Sequence, residues 1–157
     1  MPSPASGSRT TLVIDETMVD LWYNAPPPPP LACFNPDAAV ITIGSAGKSF
    51  WGGLRIGWIR ASTRTIASLI QARDSLDLGT PLLEQLACSW LLANAATLLR
   101  PRREMLQARR DMCDVLMTAY FPRWRFTPPE GGLSFWVELP DMLATLFSAR
   151  AESQGIH

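Results

Sequence analysis

Two short apolar runs, each followed directly by polar residues, constrain the fold of this chain more than any other feature. Residues 11–14 are apolar or β-branched and end at Asp15, and residues 39–44 form a second such run before a turn that carries Lys48. Uniformly apolar runs of this length are typical of strands buried in parallel sheets. Ligands of open α/β sheets bind where such strands end. The pattern therefore predicts an α/β fold with Asp15 and Lys48 at the ligand-binding edge of the sheet.

After the lysine turn, the periodicity indicates one more strand, then helices, then strands again. Residues 54–60 alternate in the way expected of a third strand of a mostly parallel sheet. Apolar residues then recur at helical spacing, and Thr80-Pro81 is a helix start signal. In chain order we predict helices from Thr63, from Pro81 and over residues 100–120, strands over residues 124–127 and 133–139, and a last helix from Asp141.

The side chains of these helices also indicate their surroundings. Leucines and Trp90 occupy most of the helix after Pro81, which predicts that it is largely buried. A basic cluster on the long helix is typical of a solvated face; its members are Arg102, Arg103, Arg109 and Arg110. The proline run at residues 26–30 offers no backbone donors, so we expect a loop or an extended connector there.

Composition excludes several classes of protein. A chain of 157 residues that is 47% hydrophobic and 18% charged can bury one core of ordinary size. A formal net charge of zero leaves no electrostatic footprint for nucleic acid in this stretch. No run reaches the ~18 apolar residues of a membrane span, and residues 1–9 lack an apolar signal-peptide core. We therefore expect a cytoplasmic protein, in which the cysteines are buried free thiols and not a disulfide or zinc site: Cys33, Cys88 and Cys113.

Lys48 is the single lysine among 14 basic residues, and the other 13 are arginines. Arginine cannot lose its proton in a protein, whereas a lysine amine can be deprotonated and attack a carbonyl. A chemical role for Lys48 is one explanation. The other is that one lysine survived a nucleotide bias toward arginine codons, and composition alone leaves both open.

Three elements together match the needs of a phosphorylated aldehyde cofactor. The Lys48 amine can condense with the aldehyde, and the Asp15 carboxylate can stabilise a protonated pyridine nitrogen so that the ring accepts electrons. The hydroxyl of Ser45 and the guanidinium of Arg55 can hold the phosphate. The glycines of residues 44–57 let the backbone approach it closely.

The run GSAGKSFWGGLRIGW, residues 44–58, resembles the S-x-x-K…G-x-R-x-G signature of the aminotransferase class I/II superfamily, which are pyridoxal-phosphate (PLP) proteins of fold type I. It is most similar to the branch fused to winged-helix domains in MocR/GntR-type transcriptional regulators. The resemblance implies that Lys48 forms the Schiff base with PLP, that Ser45 and Arg55 bind the phosphate, and that Asp15 pairs with the pyridine nitrogen. It also implies a partial large domain with a mostly parallel sheet, followed by the start of a small α+β domain.

The resemblance implies domain limits for this chain, and the chain also departs from the family's pattern in places. It implies the PLP-binding large domain over residues 1–98, a connecting helix over 99–122 and the beginning of the small domain over 123–157. The family commonly has a tyrosine two or three residues after the aspartate, where this chain has Thr17 and Met18. The family's ring-stacking aromatic is expected before this chain and its carboxylate-binding arginine after it, so we expect a gene fragment or a truncated product.

The resemblance implies an enzyme that, when intact and homodimeric, transfers amino groups from an amino acid through an aldimine on Lys48. The alternative is a PLP-binding domain that senses an effector amine without turnover. It would regulate transcription, with DNA bound by a winged-helix domain absent from this chain. A third hypothesis is that the chain is a decayed remnant of such a protein without activity. A phosphate-binding P-loop is disfavoured, because the interval from Gly44 to the Gly47-Lys48 pair is two residues short. No role is assigned to His157.

Overall fold

The elements follow the predicted order of strands and helices in a computed structural model that describes residues 10–34, 39–140 and 144–156. The strands are β1 (Leu12–Asp15), β2 (Val40–Ser45), β3 (Gly57–Arg60), β4 (Arg125–Phe126) and β5 (Val137–Glu138). The helices are α1 (Ala46–Ser49), α2 (Thr63–Arg73), α3 (Leu82–Ala93), α4 (Ala95–Tyr120) and α5 (Ala144–Ser153). Residues 1–9, the expected helix start at Asp141 and His157 lie outside the described residues.

The first three strands form one sheet in the order β1-β2-β3, and the direction of β3 differs from the prediction. β1 lies parallel to β2, with Ile14 opposite Thr42. β3 runs antiparallel to β2, with Ser45 opposite Gly57. A parallel neighbour needs a crossover of about a dozen residues or more, and residues 46–56 hold only α1 and a short 3-10 turn. The α/β class is confirmed, whereas the expectation that the third strand is parallel is wrong.

A small buried cluster anchors the lysine turn to α3. Ala46 of α1 is fully buried, and Cys88 is the buried residue of α3. The cluster consists of Ala46, Leu54, Ile56 and Cys88, with Phe50 and Leu91 packed against it. Because close-packed side chains resist displacement, this cluster holds the backbone that carries Lys48.

The remaining faces of α3 are exposed, and the prediction of a largely buried helix is wrong for the chain by itself. Leu83 is 78% exposed and Trp90 is 60% exposed. The spacing of apolar residues identifies an apolar helix but not its partner. Nothing in the described ranges covers these side chains.

Helix length and composition also bear on membrane insertion. Among the helices in the described part of the chain, no single one is both long and apolar enough to cross a membrane. α3 and α4 meet that requirement only together, by length and composition, and they are bent by 80° relative to each other.

Two cysteines depart from the prediction of buried thiols, Cys33 fully and Cys113 in part. Cys88 is buried, Cys113 is intermediate and Cys33 is exposed, and all three are free. Cys33 lies in the 3-10 turn Leu31–Cys33 that follows the proline run, and that run is exposed and irregular, as predicted. Burial raises the pKa of the Cys88 thiol, which disfavours its reactive thiolate.

The C-terminal part is a smaller α+β arrangement, as predicted. β4 and β5 pair antiparallel, with Phe126 opposite Val137. The ring of Trp124 stacks on Phe121 with centroids 4.2 Å apart. Phe147 of α5 meets the same indole edge-on at 5.3 Å. Aromatic contacts therefore join α5 to the end of α4.

Candidate functional site

Lys48 projects from a one-turn helix, α1, whose first residue is hydrogen-bonded to the residue that precedes β3. The N–H of Ala46 donates to the carbonyl of Ile56 at 3.1 Å, and the N–H of Phe50 donates to the carbonyl of Ala46 at 2.8 Å. Ala46 and Ser49 are buried, whereas Lys48 is exposed. The sequence thus places a free amine on a backbone that is tied to β3 and to the core.

The exposed side of this turn borders an open cavity of about 430 Å³. Two cationic side chains, Lys48 and Arg55, and two hydroxyls, Thr17 and Ser45, contribute to its wall, and none of its described lining residues is acidic. The lining residues are Thr17, Ile43, Gly44, Ser45, Gly47, Lys48, Gly52, Arg55, Ile56 and Gly57. Such a wall favours an anionic ligand.

Arg55 adopts a backbone conformation that is unusual for a residue with a side chain. Its φ of 53° and ψ of 27° lie in the left-handed region, and it is the non-glycine residue with positive φ among those described. This conformation delays the start of the third strand to Gly57, three residues later than predicted. Within the described ranges, the guanidinium of Arg55 makes no hydrogen bond or ion pair, so it is free to bind a ligand. Strain of this kind is concentrated at functional sites.

Asp15 ends β1 beside the cavity but is not one of its lining residues. It lies opposite Ile43, which does line the cavity. The structure thus brings Ser45, Lys48 and Arg55 together around one space and sets Asp15 next to it.

Thr17 lowers the pKa of Asp15. The N–H of Thr17 donates to Oδ1 of Asp15 at 2.9 Å. The hydroxyl of Thr17 and then this N–H are the main causes that hold the pKa of Asp15 below its ordinary value; desolvation opposes them and the charge of Lys48 adds to them. Because the folded-state pKa is depressed, the stability linked to this carboxylate is present at neutral pH and is lost as the pH falls through that lowered value.

The sequence predicted that the basic cluster on α4 is a solvated face, and for two of its four arginines this is wrong. Arg102 and Arg103 form hydrogen bonds with the backbone around the site. The terminal nitrogen of Arg102 donates to the carbonyl of Lys48 at 3.1 Å. Nε of Arg103 donates to the carbonyl of Asp20 at 2.7 Å, and its guanidinium lies 4.1 Å from the ring centroid of Trp22. The partners of these arginines are two backbone carbonyls and one aromatic ring, all far from α4 in sequence. Such contacts produce no local sequence pattern from which they could be predicted.

The other two arginines of the cluster behave differently from each other. Arg110 lies over the ring of Tyr23 at 5.3 Å. Burial raises the pKa of the Tyr23 phenol, and the charge of Arg110 partly opposes that rise. Arg109 is exposed, as predicted.

Residues 20–24, which we call the linking segment, connect the site to the C-terminal unit, the part of the chain that holds β4, β5 and α5. The N–H of Tyr23 donates to the carbonyl of Glu130 at 3.0 Å, and the N–H of Gly132 donates to the carbonyl of Leu21 at 2.8 Å. The hydroxyl of Tyr23 donates to the carbonyl of Gly132 at 2.7 Å. The chain that leaves Asp15 is therefore pinned to the segment that precedes β5.

The local fold also argues against a P-loop at Lys48. A P-loop lysine begins a long helix whose N-terminus faces the phosphate. Here α1 spans only Ala46–Ser49, and a 3-10 turn and β3 follow it. The disfavoured alternative therefore has no structural support.

Known proteins resemble the chain over nearly its whole length. Aromatic-amino-acid aminotransferase 1 of Thermococcus litoralis is 30% identical over 92% of this chain and 36% of that enzyme. The uncharacterized HTH-type transcriptional regulator YdfD of Bacillus subtilis is 27% identical over 97% of this chain and 32% of that protein. The crystal structure of LysN, the α-aminoadipate aminotransferase of Thermus thermophilus, matches with a TM-score of 0.81 and 28% identity over 93% of this chain and 39% of that structure.

The chain thus spans about a third of the length of these relatives. The sequence profile described as aminotransferase class I and II matches residues 5–156. The match includes β1, the lysine turn, the cavity wall and the start of the C-terminal unit, and the same fold is present in solved structures. The chain therefore belongs to the aminotransferase class I and II family.

Proposed function

We propose that this chain is the cofactor-binding part of a PLP-dependent protein that transfers amino groups from an amino acid, with Lys48 as the residue that bonds to the cofactor. One observation carries the proposal: Ser45, Lys48 and Arg55 line a single cavity whose described lining residues include no acidic side chain. The family supports it, since LysN was crystallised with a phosphopyridoxyl-leucine adduct.

The cavity fits a phosphorylated pyridine aldehyde. Its volume of about 430 Å³ is typical of small-molecule sites, which span roughly 300–1,000 Å³. The Ser45 hydroxyl makes no capping hydrogen bond to α1, so it is available to a phosphate. A Cβ added at Gly52 would meet no heavy atom within 4 Å, so there is open space for a ligand against that backbone.

When bound, PLP would supply an aldehyde and an electron-withdrawing ring. The Lys48 amine would hold the cofactor at its aldehyde carbon and would be the group that moves the α-proton of a substrate amino acid. Asp15 would hold a proton on the pyridine nitrogen. Ser45 and Arg55 would hold the phosphate, and the hydrogen bonds from Thr17 would favour the charged form of Asp15.

Chemical trapping in the full-length protein tests this proposal. After incubation with PLP, borohydride reduction and peptide mapping should locate the pyridoxyl label on Lys48. The Lys48→Arg variant, which keeps the positive charge but cannot form the bond, should take up no label. A label on another residue, or no label in cofactor-saturated protein, would overturn the assignment.

Arg55→Ala should weaken PLP binding roughly tenfold to a hundredfold, since a charge-assisted bond to phosphate contributes about 1.5–3 kcal/mol. Arg60→Ala is the matched control, because Arg60 is exposed on β3 and does not line the cavity. Equilibrium titration of absorbance measures both variants. Equal losses would show that Arg55 is structural.

Arg55→Gly separates the charge from the backbone. Glycine adopts the left-handed conformation freely, so this variant should be as stable as the parent or up to about 1 kcal/mol more stable. Its affinity for PLP should nevertheless fall as far as that of Arg55→Ala. Thermal unfolding and the same titration give the two readouts.

A second function is favoured by the relatives that are transcriptional regulators. YdfD of Bacillus subtilis and NorG of Staphylococcus aureus are named HTH-type regulators, and they match 97% and 80% of this chain. In that case the chain would bind PLP and an effector amine without turnover, and DNA would contact a separate winged-helix domain. A basic winged-helix segment encoded upstream, together with no amino-group transfer across an amino-acid panel, would favour this function.

We assign residues 1–98 to the PLP-binding domain, 99–122 to a connecting helix and 123–157 to the beginning of the small domain. The intact protein would act in the cytoplasm as a homodimer. Size-exclusion chromatography of the full-length protein with and without PLP tests the assembly.

A further inference from the structure

We propose that Arg102 is a positioning residue for Lys48: its guanidinium holds the Lys48 carbonyl and so fixes the turn that presents the amine. The inference rests on the proposed function, because the position of this amine matters only if Lys48 bonds to the cofactor. The contact joins residues 54 positions apart, at 3.1 Å from the Arg102 terminal nitrogen to the Lys48 oxygen.

The Lys48 carbonyl needs this donor because α1 ends too soon to supply one. α1 is a single turn of four residues, and the hydrogen bond that closes it runs from Phe50 to Ala46. Of the hydrogen bonds in the described part of the chain, the one that reaches the Lys48 carbonyl comes from Arg102. Helices this short are unstable by themselves, so an external contact decides how firmly the turn is held.

The same region of α4 also holds the linking segment, on the side of the site that follows Asp15. Arg103, the next residue, donates to the carbonyl of Asp20 in the linking segment. Oγ of Ser49 donates to the carboxylate of Asp20 at 3.3 Å. Consecutive residues of a helix point about 100° apart, so Arg102 and Arg103 reach two different segments. α4 therefore sets the distance between the lysine turn and the chain that follows Asp15.

One buried atom of Arg102, Nε, makes it possible to test this positioning role apart from any contribution of Arg102 to stability. Its Nε is buried and has no acceptor among the described residues, which is unfavourable for the fold. Replacing the guanidinium by the similarly long apolar chain of methionine removes that unsatisfied group. The Lys48 carbonyl would then be left to water, because the contact lies at the exposed side of the turn.

We expect Arg102→Met to slow covalent attachment of PLP to Lys48 roughly tenfold, because small displacements of a reacting group reduce rates by up to about 10²-fold. Thermal stability should change little. Arg102→Lys, which restores a charged donor, should recover part of the rate. Arg109→Met is the matched control, since Arg109 is exposed on the same helix and no hydrogen bond or ion pair of the described residues joins it to the lysine turn.

The measurement is the rate of the absorbance change when PLP is mixed with the full-length protein, confirmed by borohydride trapping at Lys48. The pH dependence of that absorbance, which reports the environment of the attached nitrogen, and thermal unfolding are recorded for each variant. An unchanged rate and pH profile in folded Arg102→Met would overturn the proposal. If that variant does not fold, Arg102→Gln replaces it, and an attachment rate for Arg102→Gln equal to the parent's would also overturn the proposal. Borohydride trapping distinguishes this outcome from failure of the proposed function. If the proposed function is wrong, the parent protein itself takes up no label at Lys48.

Discussion

Replacing Asp15 by asparagine should slow exchange of the α-proton of a bound amino acid roughly 10²–10³-fold, the loss typical when one preorganised electrostatic group is removed. A neutral amide cannot hold a proton on the pyridine nitrogen, so the charge that develops as the α-proton leaves is no longer stabilised. The amide oxygen can still accept the hydrogen bond that Asp15 receives from Thr17. Attachment of PLP to Lys48 should therefore persist. Exchange into deuterated water, followed by NMR, measures the effect.

Asp20→Asn is the control for this experiment, because Asp20 is a carboxylate nearby that contacts Ser49 and does not line the cavity. It should leave exchange nearly unchanged. In the parent protein, the part of the exchange that depends on the Asp15 charge should persist as the pH falls until the lowered pKa of Asp15 is reached. Normal exchange in Asp15→Asn would mean that Asp15 only stabilises the turn after β1.

Expressed alone, residues 1–157 should self-associate and show no steady amino-group transfer. Trp90 and Leu83 of α3 are exposed, and Ile70 of α2 is 59% exposed. In the described sheet, β1 and β3 each pair on one side only, and open strand edges promote association. The described wall of the Lys48 cavity holds no aromatic ring to cover a cofactor, so the grip on substrate should be poor.

Size-exclusion chromatography and an amino-acid panel test this expectation. Leu83→Glu should shift the chain toward the monomer, because a charge on the exposed face of α3 opposes burial there. Leu146→Glu, at an exposed position of α5, should not. Steady turnover from a well-behaved monomer would contradict the expectation.

The parts of the fold that depend on local pattern were predictable. Apolar runs placed β1 and β2, and helical spacing placed α2, α3 and α4, because these signals arise within a few residues. The start of β3 was not predictable in this way, since Arg55 takes a left-handed conformation and shortens the alternating run that begins at Leu54. Periodicity could identify α3 as apolar, but it carries no information on what covers it.

For the candidate site too, only the residues that lie in a local motif could be predicted. Ser45, Lys48 and Arg55 lie in one continuous motif, and the sequence placed all three in one site. The roles of Arg102 and Arg103 could not be read from sequence, because their acceptors are the backbone carbonyls of Lys48 and Asp20. Every residue offers such a carbonyl, so no residue type marks these contacts.

The bond between Tyr23 and Gly132 joins residues 109 positions apart, and this separation bears on the order of folding. Each doubling of a closed loop adds only about 0.6 kcal/mol of entropy, but contacts so distant form slowly and late. The lysine turn packs on α3 and can settle earlier, since synthesis proceeds from the N-terminus. The linking segment after Asp15 must wait until residues 130–132 have emerged from the ribosome and docked. The linking segment is therefore the last of these parts to reach its final place, whereas Asp15 can be fixed earlier through the pairing of β1 with β2.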